Sequence, residues 1–222
     1  MSISIDRART EGTFSLDGGT WEVENNVWVI GDDQVCVVID PAHDLEAVAQ
    51  LVGGRRVSAV LLTHAHDDHA KLALSAAERF EAPVLLNPRE KPLWDLTHPQ
   101  RQEDPGYVPL SDGQRIPLGS DSQAELVAVA TPGHSPGSTC FYSPDLSWEG
   151  RSPVVFSGDT LFEGGPGATG RSYSDYATIL ASIRERLFVL PEQTVVLTGH
   201  GDPTTIGAEA AASTDWEDPS AS

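Results

Sequence analysis

Four apolar, strand-like runs in this chain each end in a side chain able to bind a metal ion. VSAVLLT runs into His64-Ala65-His66-Asp67-Asp68-His69, AELVAVATPG into His134, PVVFSG into Asp159 and TVVLTG into His200. If these strands lie side by side, their ends converge on one edge of a sheet. Open α/β folds place their sites at such an edge.

The spacing inside the first cluster supports convergence. His64 and His66 are two residues apart, so an extended backbone points both to one side. A turn into a helix near Ala70 then brings Asp68 and His69 to the same spot from another direction. Asp67 falls out of phase and faces solvent or supports a neighbour. Imidazole suits zinc, iron and copper, and carboxylate widens the range. Five histidines and two aspartates exceed the needs of one tetrahedral ion and suit two ions sharing a bridging carboxylate. Burying them without a metal would leave charges and donors unpaired, at a cost of several kcal/mol each. His43, in a turn, and His98, beside a proline, are read as structural.

A serine nucleophile is the competing chemistry. GHSPG (133–137) has the form G-x-S-x-G, and Asp159 and His200 follow in the order of a hydrolase triad. Two features reject it. Pro136 follows the serine and has no N–H for an oxyanion hole, and GSTCFYS is β-branched and aromatic where the elbow needs a helix.

The rest of the chain reads as alternating strands and helices. TFSL, the turn DGGT, WEVENNVWVI and QVCVVID open it as strands and turns. HDLEAVAQLVGG is a helix presenting Leu45, Val48, Ala49 and Val52 on one face, with Gly53 as its stop. AKLALSAAERF is a second helix and APVLLN a further strand. Residues 87–111, punctuated by prolines, are too irregular for regular structure throughout; Trp94 and Tyr107 pack this segment down. QRIPL, AELVAVAT, STCFYS and PVVFSGD are strands. SDYATILASIRERLFVL is the best helix, with Ser174 as its N-cap and Tyr176, Ile179, Leu180, Ile183 and Leu187 on one face. The expected organisation is one domain over residues 1–212, followed by a disordered acidic tail, 213–222.

Composition narrows the partners. The net charge of −19 over 222 residues argues against nucleic acid or an anionic membrane. An anionic substrate would need local arginines or a metal to attract it. No run approaches the ~18 apolar residues of a membrane span, and the N-terminus lacks the apolar segment of a signal peptide. Cys36 and Cys140 sit in strand-like runs and read as buried thiols, not a disulfide. A cytoplasmic location follows from these features.

At THAHDDH (63–69), TPGHSPGS (131–138), SGDTLF (157–162) and TGHGDPTTIGAE (198–209) the sequence resembles the metallo-β-lactamase superfamily, and within it the glyoxalase II-like hydroxyacylglutathione hydrolases. CVVIDPAHD (36–44) and LSDGQRIPLG (110–119) add to the resemblance. It implies an α/β fold, the four-layer αββα sandwich, with two sheets back to back and helices outside. Carried over residue by residue, it places His64, His66 and His134 on one divalent metal and Asp68, His69 and His200 on the other. Asp159 bridges them, and Asp40 supports a ligand from behind. The implied metals are two zinc ions, with iron or manganese as alternatives.

The implied activity is thioester hydrolysis by a metal-bridging hydroxide, with Asp68 both binding metal and orienting the nucleophile. Arg171, in GGPGATGRSYSDY (164–176), is the candidate contact for an anionic substrate. Two departures bear on the carrier thiol. Ala70-Lys71-Leu72 stands where relatives carry a Gly-Gly pair, and the chain stops soon after His200, without room for the helical region that holds glutathione in longer relatives. A different low-molecular-weight thiol, such as mycothiol, is compatible with both. The rival of the same fold is a persulfide dioxygenase using one iron on His64, His134 and Asp159.

Overall fold

Residues 19–31 show how the layers arise. Val27 and Val29 point to one side of their strand, Trp28 and Ile30 to the other, and all four are buried. A strand apolar on both faces needs cover on both. In the computed structural model, which describes residues 2–121 and 124–216, that cover is a second sheet on one side and helices on the other.

The first sheet holds β1 (Ser4–Leu16), β2 (Gly19–Gly31), β3 (Val35–Ile39), β4 (Arg56–Leu61), β5 (Val84–Leu86) and β6 (Tyr107–Pro109), in that spatial order. β1, β2 and β3 pair antiparallel, and β3 to β6 run parallel. The second sheet is built from β7 (Arg115–Leu118), β8 (Ala124–Ala130), β9 (Thr139–Ser143), β10 (Val154–Gly158), β13 (Val195–Thr198) and β14 (Thr204–Thr205), ordered β14-β13-β10-β9-β8-β7. A small hairpin, β11 (Leu161–Phe162) and β12 (Gly165–Pro166), follows β10.

Trp28, Ile39 and Leu61 of the first sheet meet Phe141, Phe156 and Leu197 of the second in the central core. The outer face of the first sheet is covered by α1 (Leu45–Val52), α3 (Ala73–Phe80) and α4 (Lys91–Thr97), through Val48, Ala76 and Trp94. α5 (Tyr176–Ser182) and α6 (Ile206–Ala212) cover the second sheet through Ile179 and Ile206. The result is the four-layer αββα sandwich that the resemblance implied. Cys36 and Cys140 are buried free thiols. No helix among the described residues is long and apolar enough to cross a membrane.

Several local expectations change. Residues 87–111 are irregular, as expected, but contain short elements. They form a 3₁₀ turn (Pro88–Glu90), α4, a second 3₁₀ turn (Pro99–Arg101) and β6, anchored by Trp94, which packs edge-on to Tyr107 at 5.2 Å. The helix expected from Ala70 is two: α2 (Asp67–Ala70) starts earlier, immediately after the extended His66, and Leu72 breaks the turn pattern before α3. The cap of α5 is Asp175, whose side chain accepts the Thr178 N–H at 2.7 Å. Ser174 instead closes a turn, accepting the N–H groups of Gly170 and Arg171. Beyond α5 the chain widens into a π segment, Ile183–Leu187, that keeps Ile183 and Leu187 in the core. In the expected tail, Ser213–Asp215 form a 3₁₀ turn and Trp216 lies 5.8 Å from Phe188; residues 217–222 lie outside the described residues.

Candidate metal centre

The four strand ends meet. β4 delivers His64, His66, Asp68 and His69 from the first sheet. β8, β10 and β13 deliver His134, Asp159 and His200 from the second. At the end of β10 the register with β13 shifts, and Gly158 adopts φ +49°. A Cβ there would strike Thr63. Only glycine lets the two sheets close this tightly, and the bend turns Asp159 into the cluster.

The protein holds four of the five imidazoles, all but His66, by one nitrogen and leaves the other facing inward. His69 Nδ1 donates to Asp40 Oδ2 at 2.9 Å, His134 Nδ1 to the Ala168 carbonyl at 2.9 Å and His200 Nδ1 to the Glu24 carbonyl at 2.7 Å. Thr63 Oγ1 donates to Asp40 Oδ2 at 2.6 Å and so accepts from His64 Nδ1 at 3.0 Å. Such outer hydrogen bonds fix the tautomer that presents a lone pair inward.

The inward atoms form two sets. His64 Nε2 and His134 Nε2 each lie 3.0 Å from His66 Nδ1. With the tautomers set by their outer partners, the His64 and His134 nitrogens have no hydrogen to share there. The second set comprises His69 Nε2, His200 Nε2 and Asp68 Oδ2. The histidine nitrogens are 3.2 Å apart, and each is 3.3–3.4 Å from Asp68. Four ligands at ~2.1 Å around a tetrahedral ion are separated by about 3.4 Å. The His64 and His134 lone pairs facing inward at these spacings, with His66 Nε2 and Asp159 Oδ1 buried and without hydrogen-bond partners, fit a divalent metal ion, and a second ion would take the place of the protons that the carboxylates otherwise hold on His69 and His200.

The sets differ in charge. Burial holds His66 down to about 3 and keeps His64 and His134 below the usual imidazole range, so this set is neutral. Burial also disfavours charge on His69 and His200. At His69 the Asp68, Asp159 and Asp40 carboxylates outweigh it, raising the pKa well above the usual value. At His200 Asp159 and Asp68 do the same, up to about 10. In turn His69 and His200 overcome the burial cost of the acids, holding Asp68 at about 2 and Asp159 well below the carboxylate range.

A cavity of about 270 Å³ opens onto both sets. Phe14, Trp21, Val23, Phe162 and Ala168 supply its apolar walls, and Arg171 is the one arginine or lysine among the described residues lining it. The Arg171 guanidinium lies 3.6 Å from the centre of the Trp21 ring and 5.2 Å from that of Phe14. Its Nη1 is buried without a hydrogen-bond partner. Phe14 and Trp21 are cross-strand partners around the Asp17-Gly18 turn, an aromatic pair that the sequence reading passed over. Asn25 was also missed: its Nδ2 donates to Asp68 Oδ2 at 3.1 Å, and its Oδ1 contacts His43 Nε2 at 2.8 Å. Asp67, read as out of phase, accepts the Ser15 N–H at 2.9 Å. Ser135 is fully buried and bonds Glu90 and Ser138, away from Asp159 and His200.

Residues 20–200 match the metallo-beta-lactamase superfamily. The chain belongs to that superfamily. A protein of Bacillus subtilis (strain 168) described as the probable metallo-hydrolase YqgX is 34% identical over 193 residues, covering 83% of this chain and 88% of its own. The hydroxyacylglutathione hydrolase GloC of Haemophilus influenzae (strain ATCC 51907 / DSM 11121 / KW20 / Rd) is 30% identical over 198 residues, with 84% and 90% covered. Among solved structures, TTHA1623 in a di-iron-bound form superposes with a TM-score of 0.69 at 34% identity, covering 86% of this chain and 94% of that one. The B3 metallo-beta-lactamase BLEG-1 gives a TM-score of 0.71 at 30% identity, with 91% and 97% covered. As a superfamily member with clustered His and Asp donors, this chain is assigned to the metal-dependent hydrolases.

Proposed function

We propose that the chain is a dinuclear hydrolase of thioesters carried on a low-molecular-weight thiol. The observation that carries the reading is the position of Asp159. Its Oδ2 lies 3.6 Å from His134 Nε2 and 3.3 Å from His200 Nε2, and its Oδ1 lies 3.4 Å from His69 Nε2. One carboxylate reaching the inward atoms of both sets suits a bridge. His64, His66 and His134 would hold one ion and Asp68, His69 and His200 the other. Similarity to a hydroxyacylglutathione hydrolase supports the thioester class.

Two bound divalent ions supply hydroxide at neutral pH and polarise an acyl carbonyl. The chain's own residues do the rest. Asp68, held by the Asn25 amide, presents its carboxylate at the mouth of the cluster, where it can accept a proton from the attacking water and orient it. Phe14, Trp21 and Phe162 exclude bulk water from the acyl group, and Arg171 offers its unpartnered Nη1 to an anionic part of the substrate. Attack on the carbonyl breaks the C–S bond and yields a carboxylate and a thiolate. A thiol pKa of ~8.5 lets the thiolate leave without a strong general acid. The site therefore needs neither serine nor cysteine as nucleophile.

Metal quantification coupled to a panel of acyl thioesters tests the reading. About two metals per chain with thiol release supports it. One iron per chain, with oxygen uptake on glutathione persulfide and no thioester cleavage, would replace it with a dioxygenase.

A further inference from the structure

Glu90 is fully buried, yet it sits in the proline-punctuated segment and takes no part in the chemistry described above. Its carboxylate stands between the two loops that carry His66 and His134. On one side Oε2 accepts the N–H of Ala65, the residue between His64 and His66, at 2.7 Å. On the other side Oε1 accepts the Ser135 hydroxyl at 2.6 Å and the Gly137 N–H at 2.5 Å, immediately after His134. Three donors converge on one carboxylate from two sheets.

The same segment grips the first loop twice more. The Thr97 hydroxyl donates to the Ala65 carbonyl at 3.4 Å, and His98 Nε2 donates to the Ala70 carbonyl at 3.1 Å. Gly137 packs so closely on the segment that a Cβ there would lie 3.0 Å from Asn87 Cγ and 3.1 Å from Arg89 Cβ. Burial pushes the Glu90 carboxyl upward, a penalty that a residue used only for packing would avoid.

We infer that Glu90 is a positioning residue that sets the spacing of His66 and His134, and thereby the metal affinity of the His64/His66/His134 set. This rests on the reading that this set holds an ion. A carboxylate is the side chain the place requires. Ala65 N–H and Gly137 N–H are fixed donors, so both oxygens must accept. Glutamine has the same shape, but either orientation of its amide aims an NH₂ at one of these N–H groups. One loop must then move away from the other, while Asp68, His69 and His200 keep their own supports in Asn25, Asp40 and the Glu24 carbonyl. Outer hydrogen-bond partners of this kind typically govern 10–100-fold in metal affinity.

The test is cobalt(II) titration of the chelator-stripped full chain, followed by absorption of the bound ion and by calorimetry. Wild type, Glu90→Gln and Ser135→Ala are compared, with His66→Ala marking which step belongs to this set. The expected result is that Glu90→Gln weakens the step that His66→Ala abolishes by tenfold or more, with an altered cobalt spectrum, and leaves the other step within twofold. Ser135→Ala, which removes one of three donors, shifts the same step less and keeps the inference testable if Glu90→Gln fails to fold. Equal losses at both steps, or Ser135→Ala and Glu90→Gln both binding like wild type, would overturn it. A wild-type chain that takes up no cobalt overturns the metal reading itself, and this inference with it.

Discussion

Replacing Asp40 by asparagine tests how the scaffold prepares the second ligand set. Asp40 Oδ1 accepts the Thr63 N–H at 2.8 Å, and Oδ2 accepts both the Thr63 hydroxyl at 2.6 Å and His69 Nδ1 at 2.9 Å. The substitution changes almost no volume but turns one oxygen into a donor. If the NH₂ replaces Oδ1, it opposes a backbone N–H that cannot reverse. If it replaces Oδ2, His69 Nδ1 must accept, which moves the ring proton to Nε2, the atom facing Asp68, Asp159 and His200. Loss of a hydrogen bond to a charged group costs about 1.5–3 kcal/mol. At about 1.4 kcal/mol per tenfold, this is roughly a 10- to 140-fold loss of metal affinity. Metal titration of the folded apo variant should show that loss in the Asp68/His69/His200 step, with a smaller loss in the His64/His66/His134 step, because the Thr63 hydroxyl that Asp40 holds also orients His64 Nδ1. Two unaltered steps would refute the claim that Asp40 sets the His69 tautomer, and equal weakening of both would reduce Asp40 to general scaffold.

Other perturbations have equally defined outcomes. Arg171→Leu should raise KM for an anionic thioester about tenfold while leaving kcat nearly unchanged, and Arg171→Lys should restore part of the loss; an unchanged KM would mean that the guanidinium serves only to pack on Trp21. Trp94→Ala empties a fully buried site whose indole N–H donates to the Pro105 carbonyl at 3.0 Å; urea denaturation should show a loss of about 3–5 kcal/mol, and a loss under 1 kcal/mol would show that residues 87–111 are not anchored there. The Ser120 hydroxyl and N–H, with the Val35 and Gln34 N–H groups, hold the Asp32 carboxyl well below its usual range. A depressed carboxylate contributes stability that is complete above the unfolded value of about 3.9 and lost as pH falls through the folded one. Asp32→Asn should therefore lower Tm clearly at pH 7 and progressively less below pH 4; a gap independent of pH would contradict this.

The layers and the donor set were legible because both rest on short-range pattern. Apolar runs such as VSAVLLT announce strands buried on both faces, and each ends in a donor that the sheet geometry then gathers. Pro136 and the strand-like GSTCFYS pointed away from a serine nucleophile, and Ser135 is indeed tied to Glu90 and Ser138. The supports of the site carried no such signal. Glu90 lies 25 residues from Ala65 and 45 from Ser135, and a single buried acid in an irregular segment has no period to betray it. Phe14 and Trp21 become neighbours only through the hairpin register. The short helices in residues 87–111 fall below the length at which a 3.6-residue period can be recognised. Ser174 and Asp175 are both able to cap a helix, and only the turn back to Gly170 decides which of them does.

The central claim is that donors from both sheets build one two-ion centre spanned by Asp159. Anomalous diffraction from a metal-loaded crystal, collected on either side of the metal's absorption edge, measures this directly. Two peaks are expected, one among His64, His66 and His134 and the other among Asp68, His69 and His200, with an Asp159 oxygen reaching each. A single peak at full loading, or Asp159 turned away from either ion, would contradict it.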